Sequence, residues 1–122
     1  MLVCDEYIKG HRVLKFPGGG LEMGEGTIDC LKREWIEELN TTTEVTQHFY
    51  TTDFYQPSAY DGSQVISIYY LVAPHIPEGY RFPENNGEQF LWLPVDADLP
   101  GKITLPIDIH VARLLLAQAQ QQ

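Results

Sequence analysis

Apolar and polar residues alternate along this chain in short runs, never in the long stretches a membrane span requires. "MLVC" and "RVLKF" read as two short strands, the second stopped by Pro17. Residues 27 to 39 change to a helical period. At about 100° per residue, Ile28, Leu31, Trp35 and Leu39 fall on one narrow stripe, which predicts a core-facing side. Thr27 stands where an N-cap belongs, and Asp29 complements the helix dipole. "TEVTQHFYTTDFY" and "SQVISIYYLVA" predict two strands, with the turn signal "YDGS" between them. "EQFLWLPV" predicts a further strand ended by Pro94. Pro106 opens a last helix with Ile107, Val111, Leu114 and Leu115 along one face, and "AQAQQQ" reads as its fraying end. Strands between helices predict an α/β domain, a mixed sheet with helices packed on its faces. With no repeat or linker, residues 1–122 read as a single domain.

Composition narrows the function. A chain of 122 residues is long enough for one domain with a real core. Lys plus Arg number 8 against 17 Asp plus Glu, a net charge of −9. That excess argues against binding duplex nucleic acid by phosphate neutralisation, but leaves open phosphate substrates approached through metal ions. Cys4 and Cys30 have neither zinc-ligand spacing nor the look of a disulfide framework, and read as thiols in a reducing compartment. "MLVCDEYIKG" carries no signal-peptide pattern, so a cytoplasmic location is expected, with no membrane partner.

The acidic residues are not evenly spread. "GGGLEMGEGTIDCLKREWIEEL" gathers Glu22, Glu25, Glu34, Glu37 and Glu38 behind a glycine run. Like charges at helix spacing repel by a few tenths of a kcal/mol per pair, roughly. Glu34, Glu37 and Glu38 share an arc of about 100° bordering the apolar stripe, at the edge of the fold rather than opposite the core. Three carboxylates there make a hard, oxygen-rich group suited to Mg²⁺ or Mn²⁺, and a solvated acidic face is the plain alternative.

The flanking spacing weighs against that alternative. Gly19, five residues, Glu25, seven residues, then "REWIEELNT" resembles the box of the Nudix hydrolases (MutT-like): G, five, E, seven, R-E-U-x-E-E-x-G-U, with U a bulky aliphatic. The strand–loop–helix order and the closing "FLWLPVD" extend the likeness over most of the chain. Three positions depart from the box. Trp35 stands at a bulky aliphatic position, Thr41 at another, and Asn40 replaces the glycine that closes the helix in a left-handed conformation. The carboxylates are untouched.

The resemblance implies a Nudix-type α/β/α sandwich and divalent-metal-dependent hydrolysis of a phosphoanhydride in a nucleoside diphosphate linked to another moiety, X. It implies that Glu34, Glu37 and Glu38 bind Mg²⁺ or Mn²⁺, that Gly18 or its neighbour adds a backbone carbonyl, and that Glu34 is the base among the box residues, though some members use a glutamate from elsewhere. It also implies a further ligand from a loop before a late strand, where "NNGEQFLWLP" offers Glu88. Arg33, placed with the catalytic residues, reads as a brace that pairs with Glu25 or a helix carboxylate. The alternative function is a Nudix-fold domain that senses a nucleotide without cleaving it.

Outside the box the signals thin out. Phe54, Tyr55 and Tyr60 are candidates to stack a nucleobase, with core packing as the competing role. Pro57 lies near where ADP-ribose-cleaving members carry a proline, which discriminates poorly. His11, His48, His75 and His110 show no mutual spacing that builds a site. Little chain precedes the glycine loop, so an exposed sheet edge covered by a symmetric homodimer is expected.

Overall fold

The first strand runs further than its apolar start suggests. A computed structural model describes residues 1–8, 10–58, 61–84 and 87–120. Strand β1 spans Leu2–Ile8 and pairs antiparallel with β2, His11–Lys15. Side chains alternate across a strand, so Cys4 and Glu6 share a face with Val13 and Lys15, while Val3 and Asp5 share the other with Arg12 and Leu14. One cross-strand ion pair on each face holds the polar residues in the strand: Arg12 with Asp5 at 2.8 Å, and Lys15 with Glu6.

Helix α1 spans Thr27–Leu39, the predicted bounds. Asn40 ends it in the left-handed region, φ 52°, and its N–H donates to the Ile36 carbonyl at 3.0 Å, doing what glycine does in the box. The start differs from expectation. Gly26, with extended backbone, is the cap, and Thr27 is already helical. The Thr27 hydroxyl instead meets the Tyr70 hydroxyl at 2.5 Å, tying the helix start to a strand. Ile28, expected in the buried stripe, is 42 % exposed, because the first turn packs through Cys30 against the glycine loop. Trp35 and Leu39 are buried as expected. The Trp35 indole N–H has no partner among the described residues, the cost of a tryptophan where the box has an aliphatic residue.

Strands β3, Thr43–Thr51, and β4, Ile68–Pro74, pair antiparallel and are shorter than the Thr/Tyr-rich runs that predict them. Just past β3, buried Thr52 donates its N–H to the Ser67 carbonyl at 2.9 Å, while its hydroxyl lies 3.1 Å from Gln56 Oε1 and receives the Ser67 N–H at 3.0 Å. Strand β5, Gln89–Trp92, pairs antiparallel with β1. Among the described residues the pairings thus form two antiparallel sheets, β2-β1-β5 and β3-β4, where a single mixed sheet is expected from the sequence. Close neighbours along the chain pair as hairpins, and β5 returns against β1.

The three-stranded sheet lies between helices. On one face Leu2, Cys4 and Phe90 pack with Trp35 and Leu39 of α1. On the other, Val3 packs with Leu99, Ile103 and Ala112, from the short helix α2, Leu99–Lys102, its end, and α3, Pro106–Gln120. This is the α/β/α layering the resemblance implies. In α3 the buried stripe is Ile107, Asp108, Val111 and Ala112, while Leu114, predicted in it, is exposed. The outer edge of β2 is met at Leu14, whose N–H donates to Thr104 Oγ1 at 2.9 Å and whose carbonyl accepts the Thr104 N–H at 3.0 Å. No helix among the described residues is long and apolar enough to cross a membrane.

Candidate active site

The glycine run leaves β2 and passes under α1. A Cβ on Gly19 would sit closer than 3.0 Å to the Glu34 carboxyl, so glycine is what lets that carboxylate lie against the backbone. Gly24 turns the loop at φ +89°. The Glu22 N–H donates to Glu25 Oε1 at 2.8 Å, folding the loop back toward the helix.

Arg33 joins these pieces. Its Nε and one terminal nitrogen donate to the two Glu25 oxygens at 3.0 and 2.8 Å, a bidentate pair. The other terminal nitrogen reaches Glu34 at 2.9 Å and Glu37 at 3.0 Å, while the one that meets Glu25 also donates to the Gly20 carbonyl at 3.1 Å. Hydrogen bonds from Arg33, then the Glu22 N–H, hold the Glu25 carboxyl at about 2, below its ordinary 4.5. The same bonds push the guanidinium further up. Cys30, its thiol raised by burial, points at the Gly20 carbonyl 3.5 Å away. Gly18 lies just ahead of these carbonyls with positive φ, and Glu22 is exposed, 3.6 Å from Arg33.

Beyond Arg33 the charges are less balanced. Glu38 is half-buried and pushed up to about 8, by burial first, then by the charges of Glu88 and Glu34; it also shares a hydrogen bond with Glu34. Glu88, just before β5, is raised by burial and by a hydrogen bond with Glu6, and feels Glu34 as well. The donor atoms of Cys4, Glu6 and Glu88 lie within 4.8 Å of one another, and burial lifts the Cys4 thiol to about 12. The structure therefore brings Glu34, Glu38 and Glu88 into one neighbourhood. Glu37 stands apart, its side chain 57 % exposed and turned onto Arg33.

Two carboxyls, Glu38 and Glu88, raised by burial and by neighbouring carboxylates, in a donor set rich in hard oxygen, fit a divalent ion such as Mg²⁺ or Mn²⁺, which would relieve the same repulsion. Two neighbours of this cluster are not legible in the sequence: Glu6 and Lys15, whose place near Glu88 depends on strand register.

The aromatic candidates lie elsewhere. Phe54 and Tyr55 line an apolar cavity of about 250 Å³ with Pro57, Leu105, Pro106 and Ile107, and Phe54 meets His110 edge-on at 5.8 Å. Tyr60 lies outside the described residues. Buried Asp108, in the first turn of α3, accepts from the Tyr69 hydroxyl at 2.5 Å and from the Phe16 N–H at 3.3 Å, fixing the chain just before the glycine loop. A second groove, of about 480 Å³, runs along Arg81, Phe82, Glu84, Gln89 and Phe90, beginning one residue after Glu88.

A family model for the NUDIX domain matches residues 1–111. The chain belongs to the Nudix family. A solved structure from work on MutT of the fish pathogen Aliivibrio salmonicida and of Vibrio cholerae is similar to it, with 25 % identity and a TM-score of 0.58. The match covers 97 % of this chain and 86 % of that one. Among curated proteins none matches the sequence. Membership makes the chain a Nudix hydrolase of MutT-like fold.

Proposed function

We propose that this Nudix hydrolase cleaves the phosphoanhydride bond of a nucleoside diphosphate linked to a moiety X, with Mg²⁺ or Mn²⁺ held by Glu34, Glu38 and Glu88. Glu37 and a carbonyl at Gly18 complete the ligand set that the family resemblance suggests. The observation that carries this reading is the Glu34–Glu38–Glu88 neighbourhood, in which Glu38 is raised by burial and by the charges of Glu88 and Glu34, and Glu88 by burial, Glu6 and Glu34. When bound, the ion neutralises the diphosphate and acidifies water. Glu34, which lies against Gly19 and accepts from Arg33, would take the proton of the attacking water, the role the family resemblance suggests. Water adds at one phosphorus, and the bridging oxygen leaves with the other phosphate.

The groove beside Glu88 supports a site for the nucleoside or X, with Phe82 and Phe90 as aromatic walls and Arg81 as a cation. The cavity at Phe54 and Tyr55 is the alternative seat for a base. Two free thiols agree with a reducing cytoplasm. With Thr104 on the β2 edge, a symmetric homodimer would use β5, whose Trp92 is 53 % exposed; light scattering that shows a monomer removes this assembly.

The test is product release across nucleotide sugars, dinucleoside polyphosphates, ADP-ribose and nucleoside triphosphates, with Mg²⁺ and with chelator. Metal-dependent release of two phosphate-bearing products from at least one of them supports the reading. Tight nucleotide binding without turnover identifies a sensor instead.

A further inference from the structure

The proposed hydrolysis leaves one buried carboxyl without a task. Asp108 is 4 % exposed, in the first turn of α3, the helix on the face of the sheet opposite α1. A carboxyl is seldom buried unless donors meet it. Here both oxygens are met: Oδ1 accepts from the Tyr69 hydroxyl at 2.5 Å, and Oδ2 from the Phe16 N–H at 3.3 Å. The Tyr69 and Phe16 rings touch edge-on at 5.7 Å, which closes a triangle of contacts. Tyr69 belongs to β4 and Phe16 follows β2, so one carboxyl ties α3 to both sheets where the chain leaves β2.

That exit leads straight into the glycine loop. Along the outer edge of β2, Leu14 exchanges two hydrogen bonds with Thr104. Two residues on, the Phe16 N–H turns to Asp108. Next come Pro17, which has no N–H to offer, then Gly18 and Gly19, and at Gly20 the carbonyl accepts from Arg33. Three residues therefore span from the Asp108 contact to the Arg33 contact. Gly19 is the one against which the Glu34 carboxyl lies. A segment this short is placed by its two ends, and Arg33 sets only one of them.

We propose that Asp108 is a positioning residue for hydrolysis: by holding the Phe16 N–H, with Tyr69 as its second donor, it sets the path of Gly18 and Gly19 and so the seat of Glu34. The inference rests on the reading that Glu34 serves the hydrolysis. Asp108 does this as a hydrogen-bond acceptor, not as a charge. Asparagine keeps the arrangement, because its amide oxygen accepts from Phe16 while its amide N–H donates to Tyr69, whose hydroxyl serves either way. Alanine keeps neither bond.

The test combines amide NMR of the metal-free protein with steady-state kinetics in saturating Mg²⁺ on the best-cleaved member of the nucleotide panel above. Asp108→Ala is expected to quicken exchange of the Phe16 amide and to shift the Gly18, Gly19 and Gly20 signals, with the β5 amides unmoved. Its kcat should fall about tenfold or more with KM nearly unchanged, since a reacting group has been misplaced. Asp108→Asn is expected to keep both the amide pattern and kcat close to wild type. Tyr69→Phe should move the same amides less, and it stands in should Asp108→Ala fail to fold. Glycine amides that stay in place overturn the inference, as does exchange that quickens evenly over the whole sheet. A raised KM with kcat intact would make Asp108 a substrate contact, and lost kcat in Asp108→Asn would make its charge the requirement. Either result overturns the inference with wild-type turnover standing. A wild type that cleaves no member of the panel overturns the hydrolysis reading, and the inference with it.

Discussion

The two flanks of α1 use the same side chain to opposite ends. On the Arg33 flank, Glu25 meets a bidentate guanidinium and its carboxyl drops to about 2. On the Glu38 flank, carboxyls meet burial and one another, and Glu38 rises to about 8. Sequence position does not separate them, since all are glutamates within one box. What separates them is which influence wins: the Arg33 guanidinium outweighs burial at Glu25, whereas burial and neighbouring carboxylates outweigh the charge of Lys15 at Glu38. The first flank is a finished brace that sets the loop against the helix. The second gathers repulsion, which a divalent ion would discharge on the function proposed above.

The largest break in this comparison is Glu38→Gln. Turnover should fall by more than the roughly 10–100-fold that outer-shell partners cost. Thermal unfolding in chelator should show a fold no less stable than wild type, because a repulsion is removed. An active Glu38→Gln, or one destabilised without metal, would make the two flanks alike.

Gly19→Ala comes next. The new Cβ must displace the Glu34 carboxyl, which is the far end of a flexible side chain and can yield at small cost in stability. Turnover should drop about tenfold with the melting temperature nearly unchanged, since misplacing a reacting group costs rate before it costs fold. Equal losses of both would assign Glu34 to structure alone.

The smallest effects are two opposed pH dependences in the metal-free protein. Glu25 is held below its ordinary 4.5, at about 2, so its stabilisation is present above 4.5 and lost as pH falls toward 2. Glu38 is held above 4.5, at about 8, so its contribution is full below 4.5 and lost as pH rises through 8. Melting temperature against pH should therefore fall at both ends. Glu25→Gln should flatten the acid limb, and Glu38→Gln or added Mg²⁺ the alkaline limb. If Mg²⁺ leaves the alkaline limb unchanged, the ion does not discharge Glu38.

How far these features were legible follows the range of the interaction. The bounds of α1, the left-handed Asn40 and the Arg33–Glu25 brace rest on spacing within one loop and helix, which a linear pattern displays. Ile28 sits on the right stripe, yet the first turn faces the glycine loop through Cys30, and only the packed fold decides that. Strands β3 and β4 end beside Thr52, whose N–H still donates to the Ser67 carbonyl at 2.9 Å and whose hydroxyl bonds Gln56 and Ser67, side-chain contacts that β-propensity does not display. Glu6 and Lys15 are not legible as neighbours of Glu88, because alternation along one strand gives the face and not the neighbour. Register across β1, β2 and β5 brings them to Glu88.

The central claim, that the Glu34–Glu38–Glu88 side is where a divalent ion supports hydrolysis, is tested most directly by phosphoanhydride cleavage measured against Mg²⁺ concentration in wild type and Glu38→Gln. The account predicts no wild-type cleavage in chelator, saturable activation by Mg²⁺, and little activity in the variant at any Mg²⁺ concentration. Wild-type cleavage that persists in chelator, or a variant curve that overlays the wild type, would contradict it.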